Sequence, residues 1–265
     1  MNKNGLDTYE SDAKKQSRRI IAEELFRRVK HPAFSTVLYL PGPHDYQRKS
    51  LLNIGFKNEN IFGVDLGANV QAVRDRGGYC IEGKLHEVID NWPTHRCIDV
   101  ILADLCCGLG GTALETVRAI GCLYEKQKCA PIVYMNLQRG RDADTNGVRE
   151  FLKGLRSDSY SKHRVLQLIM WQYSEFGIHN KDALHRAFGN DGDAIAKHAC
   201  EEIDMMKIRM WDYKNAASSV VMDSMIFQWP RWLIGEKRDA AKVTTQRIAA
   251  TLATATRRRN ERIAA

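Results

Sequence analysis

The sequence predicts an α/β protein: a Rossmann-like, doubly wound and mostly parallel sheet with a C-terminal antiparallel hairpin, plus N- and C-terminal helices. Three observations predict it. Short apolar runs alternate with helix-patterned stretches from residue 34 to about residue 137. The run CIDVILAD, residues 97–104, is near-continuous in its apolar character, as suits a central parallel strand covered on both faces. Residues 34–65 read as strand, tight turn, helix and second strand, and that second strand ends on an acid, Asp65, about 20 residues past the turn.

Taken in order, residues 12–30 are an expected helix. Ile20, Ile21, Leu25 and Val29 share one stripe, Ser11 or Asp12 can cap it, and His31-Pro32 ends it. The first strand is expected over 34–40 and is stopped by Pro41-Gly42-Pro43. A helix over 45–54 ends at Gly55, and IFGVD makes the second strand. A short helix over 68–76 closes at Gly77-Gly78, followed by a third strand at 79–82 and a helix over 85–92 ended by Pro93. The fourth strand, 97–104, leads through the glycine-rich turn 106–111 into a helix over 112–127 and a fifth strand at 130–137. Residues 138–146 are polar and read as a loop. Helical patterns then occupy an insertion over about 146–205. Residues 206–214 and 219–229 read as a hairpin closing one edge of the sheet. The divisions are therefore a basic helix over 1–31, an α/β domain over 32–235 and a basic helical tail over 236–265.

Composition narrows the function classes. At 44% apolar and 27% charged, the 265-residue chain is an ordinary globular one. It has no run approaching the roughly 20 apolar residues of a membrane span, and its first residues lack an apolar signal core. The seven cysteines are odd in number and include no CxxC pair, so a reduced, cytoplasmic setting is expected and neither a disulfide framework nor a zinc site is. The net charge of +8 sits at the ends: residues 1–30 carry +3 and residues 236–265 carry +5. Basic ends steer toward nucleic acid or another polyanion. The tail's Val243, Ile248, Leu252 and Ala255 form a seam suited to self-association, which gives a possible homo-oligomer, and no membrane partner is expected.

Five βα units followed by a terminal hairpin resemble the class I S-adenosylmethionine-dependent methyltransferases. The opening of apolar strand, Pro-Gly-Pro, helix, Gly-Phe, strand and acid is similar to uncharacterised phage and mobile-element members. The resemblance covers roughly residues 34–229. It implies S-adenosylmethionine as cofactor, with Leu40, Pro41 and Gly42 against its methionine part, Asp65 on the ribose hydroxyls, and Glu82, Gly83 and Lys84 flanking the adenine. It implies Asp104, at the end of the fourth strand, as the catalytic residue on the acceptor side. The chain departs from the family's glycine-rich first loop, because two prolines flank Gly42 and carry no N–H. Asp104-Leu105-Cys106-Cys107 also lacks the prolines and aromatic of base amino-group methylases. Cys107 stands where a cytosine-C5 nucleophile would, but Leu137-Gln138-Arg139 offers no second cysteine. Arg139 and Arg141 suit an anion or a solvated loop equally. The expected function is a methyltransferase acting on nucleic acid or a related polyanion; the alternative is an inactive Rossmann-like nucleic-acid-binding or protein-interaction protein.

Overall fold

The computed structural model describes residues 11–105, 111–127, 130–138, 207–214 and 221–228. The expected helical insertion, the basic tail, Cys106, Cys107, Arg139 and Arg141 lie outside the described residues. Helix α1 runs Asp12–Arg28, and Ser11 caps it by accepting the Lys14 N–H at 3.2 Å. There follow β1 (Val37–Tyr39), α2 (Tyr46–Ile54), β2 (Ile61–Asp65), α3 (Ala68–Asp75), β3 (Tyr79–Glu82), α4 (Leu85–Asp90), β4 (Val100–Asp104), α5 (Gly111–Gln127), β5 (Ile132–Gln138), β6 (Lys207–Lys214) and β7 (Val221–Gln228).

One seven-stranded sheet results, in the order β3-β2-β1-β4-β5-β7-β6. Strands β1 to β5 pair in parallel, while β7 runs antiparallel between β5 and β6. The chain reverses direction across the sheet between β1 and β4. In an open α/β sheet, such a switch point leaves a crevice at the strands' carboxyl ends. Leu40, Asp65, Glu82 and Asp104 all fall at or just past those ends, and Asn136 lies two residues short of the end of β5.

Alternation of side chains sorts the core into two layers. On one face Val37, Tyr39, Ile61, Leu102 and Tyr134 pack under Ile21 and Leu25 of α1 and Leu51 of α2. Cys80 belongs to the same face by register through Gly63 to Tyr39, and Val70 and Val73 of α3 cover it. On the opposite face, Leu38, Ile101, Ala103, Val133 and Met135 are buried, and α4 packs against α5. The N-terminal helix is thus part of the domain and not an appendage beside it.

Two strands start later than their apolar runs. Pro32–Phe34 form a 3-10 turn and not the start of β1. Residues 97–99 precede β4, where Asp99 uses a carboxylate oxygen to accept the Thr36 N–H at 2.8 Å while its own N–H goes to the Thr36 carbonyl. Local hydrogen bonding replaces the ladder there, which an apolar pattern does not reveal. No helix among the described residues is long and apolar enough to cross a membrane.

Candidate active site at the carboxyl edge

The first turn is built from its prolines. Pro43 occupies the second position of a turn closed by the Asp45 N–H to the Gly42 carbonyl at 3.0 Å. Asp45 then takes a left-handed conformation, φ 54°, which Asp tolerates better than most residues. Its carboxylate is turned inward. It accepts the Tyr39 hydroxyl at 2.5 Å and the Arg48 Nε at 2.5 Å. Arg48 also donates to Asn58 Oδ1 and to the Arg76 carbonyl, at 3.0 and 2.9 Å. Burial, reinforced by the neighbouring Asp45, pushes the Tyr39 hydroxyl well above the ordinary tyrosine range. Pro41 is buried over β2, where a Cβ on Gly63 would stand 3.3 Å from the Pro41 Cγ and 3.2 Å from the Cys80 sulfur. The glycine at 63 therefore lets the turn lie down on the sheet.

Beyond this turn, a cleft opens between α1 and the carboxyl ends of β1, β4 and β5. Leu40, Gly42 and Asp104 line it, with Lys14, Arg18 and Tyr213. Asp104 is fixed from below. The fully buried Asn136, its register partner on β5, donates from Nδ2 to Asp104 Oδ1 at 2.6 Å and to the Tyr213 hydroxyl at 2.9 Å. Asn136 Oδ1 accepts the Ser224 hydroxyl at 3.1 Å. The amide is thereby oriented at both ends, and one edge of the Asp104 carboxylate is held in place. Tyr134 stacks on Trp211 at 5.9 Å, and the Trp211 indole N–H donates to Ser17 Oγ at 3.2 Å, fastening α1 to the hairpin.

Asp65 and Glu82 are register partners at the ends of β2 and β3. Asp65 Oδ2 accepts the Asn69 amide at 3.1 Å, and the Asp65 carbonyl takes the Gly83 N–H at 3.0 Å. Glu82 and Gly83 belong to a second, more apolar cleft, lined also by Phe62, Ile81 and Trp92. Lys84 is exposed and pairs with Glu87 at 3.4 Å at the start of α4. The expected site residues therefore stand in two groups along one sheet edge: Leu40, Gly42 and Asp104 at one end, Glu82 and Gly83 at the other, with Asp65 between.

The residues present fit a nucleoside-bearing cofactor at this edge. From β4 through β1 and β2 to β3 is three strand spacings, about 14 Å, and along that line stands the half-buried carboxylate of Asp65, a group type that can accept two hydrogen bonds at once. At the turn, by contrast, Pro41 and Pro43 supply no N–H, and the acid serves Tyr39 and Arg48. Among the described residues no group of three or more His, Cys, Asp or Glu is placed to hold a metal ion.

Sequence reasoning missed Asp45, Asn136 and the α1 wall. Asp45 and Arg48 stand three apart at a helix start, a signal that could have been read as a turn lock. Asn136 lies within β5 beside Asp104, but only the strand order shows that they touch. The placement of Lys14 and Arg18 depends on tertiary packing and leaves no sequence signal.

No family model and no curated protein matches the sequence. The fold is similar to that of the plantazolicin methyltransferase BamL, solved with a triazolic desmethylPZN analog and SAH; identity is 12%, the TM-score is 0.42, and 84% of this chain and 87% of that one are covered. It is similar to a candidate sarcosine dimethylglycine methyltransferase from Galdieria sulphuraria, at 13% identity, a TM-score of 0.36, and 80% and 85% coverage. A candidate caffeoyl-CoA O-methyltransferase from Staphylococcus aureus matches at 8% identity, a TM-score of 0.33, and 82% and 93% coverage. These likenesses carry no residue role to this chain.

Proposed function

We propose that this chain is an S-adenosylmethionine-dependent methyltransferase whose acceptor is a nucleic acid or related polyanion. The observation that carries the reading is the carboxyl edge itself: Asp65 ends β2, one strand from the switch point between β1 and β4, in a sheet whose β7 enters antiparallel between β5 and β6. The cofactor would bring an already activated methyl group, so positioning supplies most of the catalysis. Asp65 would hold the ribose hydroxyls, Leu40 and Gly42 the amino-acid end, and Glu82 and Gly83 the base. Asp104, oriented by Asn136, would accept an acceptor N–H or O–H and take its proton. The basic chain ends support an anionic acceptor.

Calorimetric titration with S-adenosylmethionine tests this. Wild type is expected to bind, and Asp65→Ala to bind at least roughly tenfold more weakly, since one charge-assisted hydrogen bond contributes about 1.5–3 kcal/mol. Absence of heat on wild type overturns the reading. It would favour a second one, a binding protein that kept the sheet without the cofactor. The proline-flanked turn and its inward-facing acid support that second reading.

A further inference from the structure

Asp65 does not stand alone at the end of β2. Leu66 and Gly67 link that strand to α3, and Gly67 turns the chain at a φ of 86°, where glycine is favoured. A Cβ there would meet nothing within 4 Å, so the backbone conformation and not crowding calls for the glycine. The turn brings Asn69, in the first turn of α3, back to the strand end, where its Nδ2 donates to Asp65 Oδ2 at 3.1 Å. A carboxylate only accepts, so the amide nitrogen faces it and the amide oxygen points away. The bond is not a helix cap: Gly67 is the N-cap of α3, no side chain caps that helix, and the Asn69–Asp65 contact satisfies no backbone group. Val70 and Val73, packed on Cys80, hold α3 to the sheet, and the Gly83 N–H on the Asp65 carbonyl at 3.0 Å holds the strand end. With the backbone fixed on both sides, the contact sets the one freedom that is left, the rotation of the Asp65 carboxylate.

We propose that Asn69 is a positioning residue for Asp65, and that through it the site prefers a ribonucleoside to a 2′-deoxyribonucleoside. This rests on the proposed function, in which Asp65 takes the ribose hydroxyls of the cofactor. A carboxylate free to rotate at a half-buried strand end would lose that freedom when a ligand binds, whereas Asn69 fixes it beforehand. A held carboxylate can meet two neighbouring hydroxyls at once, and a ligand with only one of them gains less from the same preparation. Because Asn69 acts through Asp65, its contribution vanishes when Asp65 is removed.

Calorimetry on the full chain tests this with S-adenosylhomocysteine, adenosine and 2′-deoxyadenosine, after circular dichroism melting has confirmed that each variant is folded. Asn69→Ala is expected to bind S-adenosylhomocysteine roughly three- to tenfold more weakly, the range for one side chain that must be ordered on binding. Asn69→Asp keeps the shape of the side chain, but it cannot donate when ionised and sets a like charge beside Asp65. It is expected to bind more weakly still. Wild type is expected to prefer adenosine to 2′-deoxyadenosine, and both variants to lose most of that preference. Asp65→Ala/Asn69→Ala is expected to match Asp65→Ala alone. The proposal is overturned if Asn69→Ala binds like wild type, if the two single losses add, or if wild type does not distinguish the two nucleosides. It is also overturned if Asn69→Asp binds as tightly as wild type, since shape alone would then matter. In each of these cases, binding of S-adenosylhomocysteine to wild type leaves the methyltransferase reading in place. A wild type that binds adenosine but not S-adenosylhomocysteine removes that reading, and the same variants measured with adenosine then decide the role of Asn69. A wild type that binds neither overturns both.

Discussion

Asp45 holds a left-handed backbone and an enclosed carboxylate at the same residue, and its substitutions can separate the two effects. Asn tolerates the same backbone conformation, so Asp45→Asn leaves the turn unstrained while it removes the charge and replaces one of the two accepting oxygens with an amide donor. It leaves the Arg48 guanidinium buried against a neutral partner, and breaking such a pair typically costs about 3–5 kcal/mol. Asp45→Ala adds backbone strain of about 1–2 kcal/mol. Urea unfolding followed by circular dichroism is expected to rank wild type above Asn and Asn above Ala. Equal midpoints for wild type and Asp45→Asn would show that the buried pair contributes nothing. The same lock explains how a turn with two prolines and one glycine keeps its shape: Tyr39, Asp45 and Arg48 fix it from inside, where a glycine-rich loop would depend on its ligand.

Helix α1 is where sequence and structure part most clearly. Its stripe of Ile21 and Leu25 and its start at Ser11 were legible, as were Asp65 and Asp104 at their strand ends, because period and capping are local signals. What was not legible is that α1 roofs the core beside α2 and walls the cleft. The Ser17 to Trp211 and Glu24 to Arg209 contacts join residues more than 180 positions apart, the second at 3.4 Å. The Asp104–Asn136 contact was hidden in the same way, since it depends on β4 lying beside β5. One consequence is that deleting residues 1–30 does more than remove a basic end. It strips the cover from Tyr39, Leu102 and Tyr134. Trp211→Ala, which loses the stacking on Tyr134 and the bond to Ser17, is expected to cost about 3 kcal/mol. Removal of α1 is expected to abolish cooperative thermal unfolding altogether. A truncated chain that still melts cooperatively near the wild-type temperature would show that α1 is not part of the core.

At the scale of the whole molecule, one face of the sheet gathers three groups that resist ionisation: Tyr39, Cys80 and Tyr134. Burial is the leading cause for each, and nearby carboxylates reinforce it: Asp45 for Tyr39, Asp65 for Cys80 and Asp104 for Tyr134. The Cys80 thiol is pushed up to about 11 from 9.0, and both tyrosines are raised above 10.0. Raised acids bind protons more tightly folded than unfolded, so their stabilising contribution is complete below the unfolded values. It is lost as pH rises toward and through the folded ones. The unfolding midpoint in urea is therefore expected to hold up to about pH 9 and to fall steadily above it, since the unfolded chain releases its protons first. Cys80 alone accounts for a loss of order 1–3 kcal/mol between pH 9 and 11. Cys80→Ala should flatten that first part of the decline while leaving the steeper fall above pH 10, which belongs to the tyrosines. Each of the three groups lies over or beside a carboxylate that ends a strand or locks the turn, so the alkaline limit of the fold and the arrangement of its candidate site have the same origin. A midpoint that stays constant from pH 8 to pH 11 would mean that this face admits water to its core, and that the carboxyl edge is less enclosed than its packing indicates.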